Sequence, residues 1–261
     1  KRKMSSKPIS VLITGANRGL GLEMVKQMVD TQSPLTPLSV LFACCRDPDG
    51  PRAEVLEGEQ RIHFFVLLLL DTADRSSIRQ SAEQVGSLLG EKGLNLVINN
   101  AAILINSTLV DSTPEDMAKT FNTNVIGPMS VIQEFLPYLR AAAKNSEVPG
   151  MSCRKAAVVN VSSIGGLIKN VPFLQELFTA VPYRVSKAAL NMLNACAAFE
   201  FQKEEILFTV LHPGWVRTDM GTADAPIDCE ESIQGVLQVI NSMSDKHHGV
   251  LTDYEGQTIN W

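Results

Sequence analysis

Apolar residues are distributed along this chain in two alternating patterns. In one, short runs are almost continuously apolar, as in strands that are buried on both faces of a parallel sheet. In the other, apolar positions recur every three or four residues, as on one face of a helix. The first pattern predicts strands at residues 10–14, 40–44, 63–69, 94–99, 156–161, 207–211 and 249–251. The second predicts helices at 21–29, 76–89, 114–122, 129–143, 183–200 and 230–242.

Strands and helices that alternate in this way form βαβ units. The fold class we predict is therefore α/β, a single doubly wound parallel sheet of the Rossmann-like type with helices on both faces. A chain of 261 residues is of ordinary size for one such domain, so we expect residues 1–261 to form a single domain with 1–8 as a flexible tail. The segment 164–182 follows a strand end, where open α/β sheets bind ligands. We interpret it as a substrate-side excursion.

The net charge of the chain argues against partners that need a basic surface. A mild net charge of −5 gives no basic surface for nucleic acid or for an anionic membrane. We therefore expect a small-molecule partner, no nucleic acid and no membrane. The longest apolar stretch, residues 64–70, is also far shorter than the roughly 20 residues of a membrane span.

Cysteine and histidine positions argue against disulfides and metals. The five cysteines are odd in number and lack Cys-x-x-Cys spacing, which favours a reducing compartment, and we expect a cytoplasmic location. His212, His247 and His248 have no carboxylate or third ligand at metal spacing. We predict no metal site and interpret these histidines as structural or solvated.

A glycine-rich turn follows the first predicted strand and opens the first helix, with the spacing Gly-x-x-x-Gly-x-Gly. The missing side chains allow backbone N–H groups to approach a pyrophosphate, and the helix N-terminus adds partial positive charge. The alternative is a glycine-rich turn without a ligand. The sequence favours a dinucleotide-binding domain whose cofactor contacts Gly15, Asn17, Arg18, Gly19, Leu20 and Gly21.

The end of the second strand bears on the choice of cofactor. Enzymes that bind NAD place an acid there for the ribose 2′-hydroxyl, whereas an arginine accommodates the 2′-phosphate of NADP. Here the acid is absent and Arg46 follows Cys45, with Arg18 as a second phosphate contact. We predict NADPH/NADP⁺. The alternative, that Arg46 only solvates the strand end, stays open because Asp47 follows it.

Tyr183 and Lys187 stand four residues apart and thus share a face of the predicted helix. A lysine ammonium beside a phenol favours the phenolate and makes tyrosine a usable acid near neutral pH. The pair alone is weak, because both residues are common on exposed helix faces. Together with the glycine turn, it indicates a dinucleotide-dependent redox enzyme.

An ordered set of motifs gives the chain a family resemblance over nearly its whole length. These motifs are the glycine turn, Asn99-Asn100-Ala101-Ala102, Asn124, Ser162-Ser163, Tyr183-x-x-x-Lys187 and Pro213-Gly214. The chain resembles the short-chain dehydrogenase/reductase family. Residues 17–22, residues 212–220 and the ending at Trp261 are similar to carbonyl reductases of the sniffer type.

The resemblance implies reduction of aldehydes or ketones to alcohols with NADPH. It implies that Tyr183 donates a proton to the carbonyl oxygen and that Ser163, rather than Ser162, stabilises the developing oxyanion. Lys187 would bind the nicotinamide ribose and lower the tyrosine pKa, and Asn124 would anchor a water in a proton relay. Further implied cofactor contacts are Asp71 at the adenine, Asn99 at the ribose, Ala101, Pro213, Gly214, Val216, and Thr218 at the carboxamide.

Two departures from the family pattern concern the shape of the site. Ala102 stands where the family usually has glycine, and the interval from Ser163 to Tyr183 is longer than usual. The alternatives left open are an NAD-dependent alcohol or steroid dehydrogenase on the same scaffold and a non-catalytic NADP(H)-sensing regulatory protein. The sequence also leaves open the natural substrate and the oligomeric state, where helix 129–143 could pair in a homodimer.

Overall fold

The computed structural model of the protein describes residues 7–51, 53, 64–174 and 179–261. Its strands are β1 (Ile9–Thr14), β2 (Leu38–Cys45), β3 (Phe65–Leu69), β4 (Leu96–Asn99), β5 (Ala157–Val161), β6 (Leu207–His212), β7 (Leu251–Asp253) and β8 (Thr258–Ile259). Within the described residues they form one sheet in the order β3-β2-β1-β4-β5-β6-β7-β8. Neighbouring strands run parallel except for β7 and β8.

Helices cover both faces of this sheet. They are α1 (Gly19–Val29), α2 (Arg75–Leu89), α3 (Pro114–Phe121), α4 (Gly127–Lys144), α5 (Val171–Leu174), α6 (Val181–Phe201) and α7 (Cys229–Ser242). A π-helical turn, Asn122–Ile126, joins α3 to α4. In the part of the chain that the structure describes, no helix combines the length and apolarity needed to cross a bilayer.

Side chains of the central strands alternate between two apolar cores. From β1, Val11 and Ile13 pack among residues of α1 and α7, whereas Leu12 packs on the other face against α2 and α4. The β5 residues divide in the same way, with Val158 on the face that also carries α6. Burial on both faces is why these strands are continuously apolar in sequence.

The starts of several helices follow from short polar signals. Asp74 accepts a hydrogen bond from Ser76 N at the start of α2, and Asp228 accepts one from Glu231 N at the start of α7. Thr113 and Asp116 form a reciprocal capping box ahead of α3. Such caps satisfy backbone N–H groups that the helix itself leaves unpaired.

A chain of buried asparagines links the sheet to α6. Asn99 Nδ2 donates to Asn160 Oδ1 at 2.9 Å, and Asn160 Nδ2 donates to Asn194 Oδ1 at 3.0 Å. All three residues are at most 3% exposed. Buried amides need partners, so this chain fixes the position of α6 over the ends of β4 and β5.

The Rossmann-like α/β fold predicted from the sequence pattern is confirmed, and the predicted strands from 10–14 to 207–211 correspond to β1–β6. The prediction of a strand at 249–251 was displaced, because Gly249 turns the chain with φ of +73° and β7 runs from Leu251 to Asp253. The two-residue strand β8 was not predicted. It is too short to leave a hydrophobic pattern.

Some sequence-based predictions concern residues that the structure does not describe, and one predicted helix ends earlier than expected. His63 of the third predicted strand, residues 1–6 of the predicted tail and residues 175–178 of the segment 164–182 lie outside the described residues. The helix predicted at 114–122 ends at Phe121, where the π-helical turn begins. A helical periodicity cannot distinguish that turn from the α-helices on either side.

We expect Asn160→Ala to destabilise the protein by about 2–4 kcal/mol, because it leaves the Asn99 donor and the Asn194 acceptor buried without partners. Urea denaturation would measure the change in the free energy of unfolding. Asn260→Ala is the matched control, since Asn260 is exposed, and should change stability by less than about 0.5 kcal/mol. Equal effects of the two substitutions would contradict a structural role for the asparagine chain.

Candidate active site

A cleft of about 1550 Å³ lies along the carboxyl ends of the strands, on both sides of the switch point between β1 and β4. Open α/β sheets bind ligands at this place. The structure brings most of the predicted site residues together in the lining of this cleft. They are Gly15, Asn17, Arg18, Gly19, Leu20, Arg46, Asp71, Ala101, Ser163, Tyr183, Lys187, Pro213, Gly214, Val216 and Thr218.

The glycine turn has a shape that side chains would not permit. Gly15 has φ of +67°, and a Cβ built on it would lie 2.9 Å from Ala101 Cα. Gly21 is not part of the cleft lining, because it packs behind the turn, where a Cβ would collide with the carbonyl oxygen of Gly15. Gly21 thus has a packing role in this structure, and its predicted contact with a cofactor stays a prediction.

The first turn of α1 is open to an anion. Arg18 stands at its N-cap and makes no side-chain capping hydrogen bond within this described stretch. Its guanidinium instead forms an ion pair with Asp219 at 3.1 Å, and both residues line the cleft. The N–H groups at a helix N-terminus, next to a glycine-rich turn, fit a phosphate group.

The loop after β4 braces this turn. Thr14 Oγ1 accepts hydrogen bonds from Asn100 N and Ala101 N, both at 3.0 Å. Asn100 Nδ2 donates to the carbonyl oxygens of Thr14 and Gly15. Asn100 was not predicted as a site residue, although its place within Asn99-Asn100-Ala101-Ala102 is the sequence signal that marks it.

Arg46 lies at the end of β2, exposed and in the lining of the cleft. It makes no hydrogen bond or ion pair with another described residue, in contrast to Arg18. Asp71, after β3, uses its Oδ1 to accept from Ala73 N. Arg46 is thus the cleft cation that is available to a ligand at this end.

Tyr183 and Lys187 are both buried in the first turns of α6, at 8% and 3% exposure. Lys187 Nζ donates to the carbonyl oxygen of Val161 at 2.7 Å and lies 5.6 Å from the centre of the Tyr183 ring. Burial lowers the pKa of Lys187 to about 7. It raises the pKa of Tyr183 to about 12, against the smaller opposing effect of a hydrogen bond with Ser163.

The net pKa of Tyr183 lies above its ordinary value in this structure, so the lowering predicted from the Lys187 charge is not the dominant effect. Burial disfavours the charged form of both side chains, and it outweighs the attraction expected from their spacing. Near neutral pH, Tyr183 is consequently a neutral phenol that retains its proton. Lys187 is divided between its charged and neutral forms.

The two serines after β5 have different partners. Ser162 Oγ donates to Asn191 Oδ1 on α6 at 2.7 Å. Ser163 Oγ accepts from Gly165 N at 3.0 Å and shares a hydrogen bond with Tyr183. Of the two hydroxyl groups, only that of Ser163 is bonded to the tyrosine, and its predicted role toward an oxyanion stays a prediction.

Asn124 lies in the π-helical turn and outside the cleft lining. Its Oδ1 accepts from Ile103 N, and its Nδ2 donates to Ile103 O and to Ser186 Oγ. Ser186 Oγ in turn donates to the carbonyl oxygen of Tyr183 at 2.7 Å. The Asn124 side chain therefore braces the start of α6, and its predicted role toward a water stays a prediction.

Asn99, like Gly21 and Asn124, is a predicted site residue outside the cleft lining. Its side chain joins the asparagine chain beneath the cleft, because β4 directs it toward Asn160. Its side chain is therefore engaged beneath the cleft, and the predicted place of Asn99 beside a ribose stays a prediction. The sequence could not distinguish these positions, since both lie next to a strand end.

The structure and sequence relate the chain to known proteins. A model described as short chain dehydrogenase matches residues 10–226, and the chain belongs to this family. It is similar to the NADPH-bound carbonyl reductase from chicken fatty liver, with a TM-score of 0.91 and 40% identity over 97% of this chain and 100% of that one. For the carbonyl reductase Sniffer of D. melanogaster, the TM-score is 0.90, with 30% identity over 97% and 100% of the two chains.

In sequence, the C-signal protein of Myxococcus xanthus is 36% identical over 169 residues, which are 64% of this chain and 93% of that protein. These relationships confirm the family predicted from the motifs, and the likeness to carbonyl reductases of the sniffer type.

The lowered pKa of Lys187 predicts a pH dependence of stability. Between about pH 7 and the ordinary value of 10.5, the unfolded chain holds a proton that the folded chain has lost. Stability therefore rises with pH across this window, by at most about 1.4 kcal/mol per pH unit. Urea unfolding at pH 7, 8 and 9 should show wild type gaining stability relative to Lys187→Met. Parallel curves for the two proteins would contradict the shift.

Proposed function

We propose that this protein reduces aldehydes and ketones to alcohols with NADPH, with Tyr183 as the proton donor. The observation that carries the proposal is the convergence of a neutral tyrosine, the Ser163 hydroxyl and a buried lysine in the same cleft as the glycine turn. We further propose that residues 1–261 act as one catalytic domain.

The residues present fit NADPH as the cofactor. The glycine turn and the N-terminus of α1 would hold the pyrophosphate, because their N–H groups and partial positive charge suit an anion. Arg46 would hold the 2′-phosphate, and Pro213, Gly214, Val216 and Thr218 would border the nicotinamide. The chicken carbonyl reductase that this chain resembles has NADPH bound, which supports the choice.

When bound, NADPH supplies the hydride that reduces the carbonyl carbon and is itself oxidised to NADP⁺. Tyr183 gives its phenol proton to the carbonyl oxygen, so that the carbonyl becomes an alcohol. Ser163 donates a hydrogen bond to the same oxygen as negative charge develops there, and such a contact is typically worth about 10²–10³ in rate. The tyrosine then regains a proton from solvent.

Lys187 acts on this chemistry by position and by charge. Its hydrogen bond to Val161 O holds the side chain against the end of β5, beside the tyrosine ring. A protonated lysine there would stabilise the phenolate that remains after proton transfer. A pKa of about 7 allows part of the Lys187 population to exist in this form near neutral pH.

The segment 164–182 would form the substrate side of the cleft. Its described residues include Ile164, Gly165 and Leu174 in the cleft lining. Ile168 and Phe173 are 83% and 78% exposed, which leaves apolar surface around the opening. This arrangement suits a substrate with an apolar body attached to the carbonyl group.

We expect Tyr183→Phe to lower kcat by about 10²–10⁴, because the substitution removes the proton donor and keeps the ring. The dissociation constant of NADPH should change by less than about twofold. Stopped-flow or spectrophotometric NADPH oxidation and fluorescence titration would measure the two quantities. Comparable turnover of the two proteins at saturating cofactor would exclude Tyr183 as the acid.

The serine pair supplies a matched control for this test. Ser163→Ala should lower kcat far more than Ser162→Ala, because only Ser163 is bonded to the tyrosine. The reverse order would assign the oxyanion contact to Ser162.

Cofactor choice gives a separate prediction. Arg46→Ala should weaken NADPH binding roughly ten- to a hundredfold, as expected for the loss of a charge-assisted hydrogen bond. NADH binding should hardly change, because NADH lacks the 2′-phosphate. Arg79→Ala, which removes an exposed arginine outside the cleft, is the matched control for net charge. Equal weakening of both cofactors by Arg46→Ala, or a wild-type preference for NADH, would contradict the assignment.

A further inference from the structure

Asn191 is a buried residue of α6 without a role in the mechanism above. It is 5% exposed and lies outside the cleft lining. Its Oδ1 accepts from Ser162 Oγ at 2.7 Å, and Ser162 is itself 2% exposed. The two side chains therefore form a buried hydrogen bond between α6 and the residue that follows β5.

The serine of this bond, Ser162, lies between two residues that hold the proposed catalytic groups. Val161, which precedes it, supplies the carbonyl oxygen that accepts from Lys187 at 2.7 Å. Ser163, which follows it, is bonded to Tyr183. Three consecutive residues at the end of β5 are thus each hydrogen-bonded to α6.

The helix side of these three contacts is a single face of α6. Tyr183, Lys187 and Asn191 follow one another at intervals of four residues. Side chains four residues apart on a helix lie above one another. Asn191 is therefore the next residue on the face that carries the proposed proton donor and its lysine.

The side-chain amide of Asn191 is only partly satisfied. Its Nδ2 is buried without a hydrogen-bond partner in the described part of the chain. A buried donor without a partner costs free energy, and a leucine of similar shape would avoid that cost. An unsatisfied buried group in a folded protein calls for an explanation, and the acceptor that Asn191 provides for Ser162 supplies one.

This acceptor also determines which serine can serve the substrate. A serine hydroxyl has one proton to donate. Ser162 gives its proton to Asn191 Oδ1 and so has none for a substrate oxygen. Under the proposed function, Ser163 is left as the serine donor of the site.

We propose that Asn191 is a positioning residue for carbonyl reduction: by holding Ser162, it keeps the residues on either side in register with the tyrosine and lysine of α6. This proposal rests on the proposed function. The effect falls on the transition state, in which Ser163 and Tyr183 must meet the same oxygen atom. Loss of Asn191 should therefore lower kcat and leave KM and NADPH binding almost unchanged.

Asn194 supplies the matched control. It lies about one turn further along the same helix, is fully buried and accepts from Asn160 Nδ2 at 3.0 Å. Its own Nδ2 is likewise buried without a described partner. Its partner Asn160 is three residues from Ser163, whereas Ser162 is adjacent to it. Loss of the Asn194 bond should therefore lower stability and leave the catalytic end in register through the bond of Asn191.

The test is the maximal single-turnover rate of NADPH oxidation with 4-nitrobenzaldehyde as the carbonyl probe. Asn191→Leu should lower this rate about five- to twentyfold, within the loss of about 10² that a misplaced catalytic group can cause. The half-saturating aldehyde concentration and the NADPH dissociation constant should change by less than about twofold, as should the rate of Asn194→Leu. Asn191→Ala serves if the leucine variant does not fold, as judged by its melting temperature.

A double substitution separates positioning from stability. Asn191→Leu leaves the Ser162 hydroxyl without its acceptor, whereas Asn191→Leu with Ser162→Ala removes both partners, which can be nearly neutral for stability. The urea midpoint should therefore recover in the double variant. The rate should stay as low as in Asn191→Leu, because the link between β5 and α6 is still missing.

The Gly165 amide reports on the catalytic serine without turnover, because Gly165 N donates to Ser163 Oγ at 3.0 Å. Its hydrogen exchange should be faster in Asn191→Leu than in wild type and unchanged in Asn194→Leu. If wild type does not reduce the aldehyde while the Gly165 amide responds to Asn191→Leu alone, the proposed function fails and the positioning of Ser163 stands.

Three results overturn the proposal. An unchanged rate in Asn191→Leu would leave Asn191 without a part in the reaction. Recovery of the rate together with the urea midpoint in the double variant would make Asn191 a structural residue. Equal losses of rate in Asn191→Leu and Asn194→Leu would show that any break between β5 and α6 has the same effect.

Discussion

The hydrogen bond from Lys187 to the carbonyl oxygen of Val161 is the contact on which the site depends. It brings a titratable amine, buried at 3% exposure, against the end of β5. A buried ammonium costs folding free energy unless its hydrogen bonds are made. Helix α6 must therefore be held where Lys187 can reach the carbonyl oxygen of Val161. The hydrogen bonds from Ser162 to Asn191 and from Asn160 to Asn194 do this one and two helical turns further along α6, respectively.

The same burial determines the chemistry of the tyrosine. In water, a phenol and an ammonium four residues apart would titrate almost independently. Burial shifts the pKa values of both groups. Burial keeps Tyr183 protonated by raising its pKa to about 12. It also lowers the pKa of Lys187 to about 7, so that the lysine is partly uncharged near neutral pH. A proton donor that holds its proton until a basic oxygen forms beside it is suited to reduction of a carbonyl. The cost falls on stability, since two polar side chains are removed from water.

The sequence predicted the sheet well because its strands are buried on both faces and are therefore continuously apolar. It also predicted the glycine turn, where the need for backbone approach leaves a visible spacing. It could not predict the orientations of Asn99 and Asn124, which lie under the cleft and brace it. An asparagine beside a strand end can bind a ligand or support the backbone, and only the neighbouring strand and helix decide between the two.

The sequence consequently predicts the half of the cleft at β1 better than the half at β6. The half at β1 is built from backbone groups, a helix N-terminus and one available arginine, all of which depend on local sequence. The half at β6 is built from side chains that meet across strands and from the apolar segment 164–182. Its polar side chains include the hydroxyl groups of Tyr183 and Ser163 and the amine of Lys187, and under the proposed function each hydroxyl group has to match an oxygen of the substrate, because an unmatched buried donor costs free energy. Selectivity among carbonyl compounds should therefore lie in this half, and it should respond to single changes in hydrogen bonding.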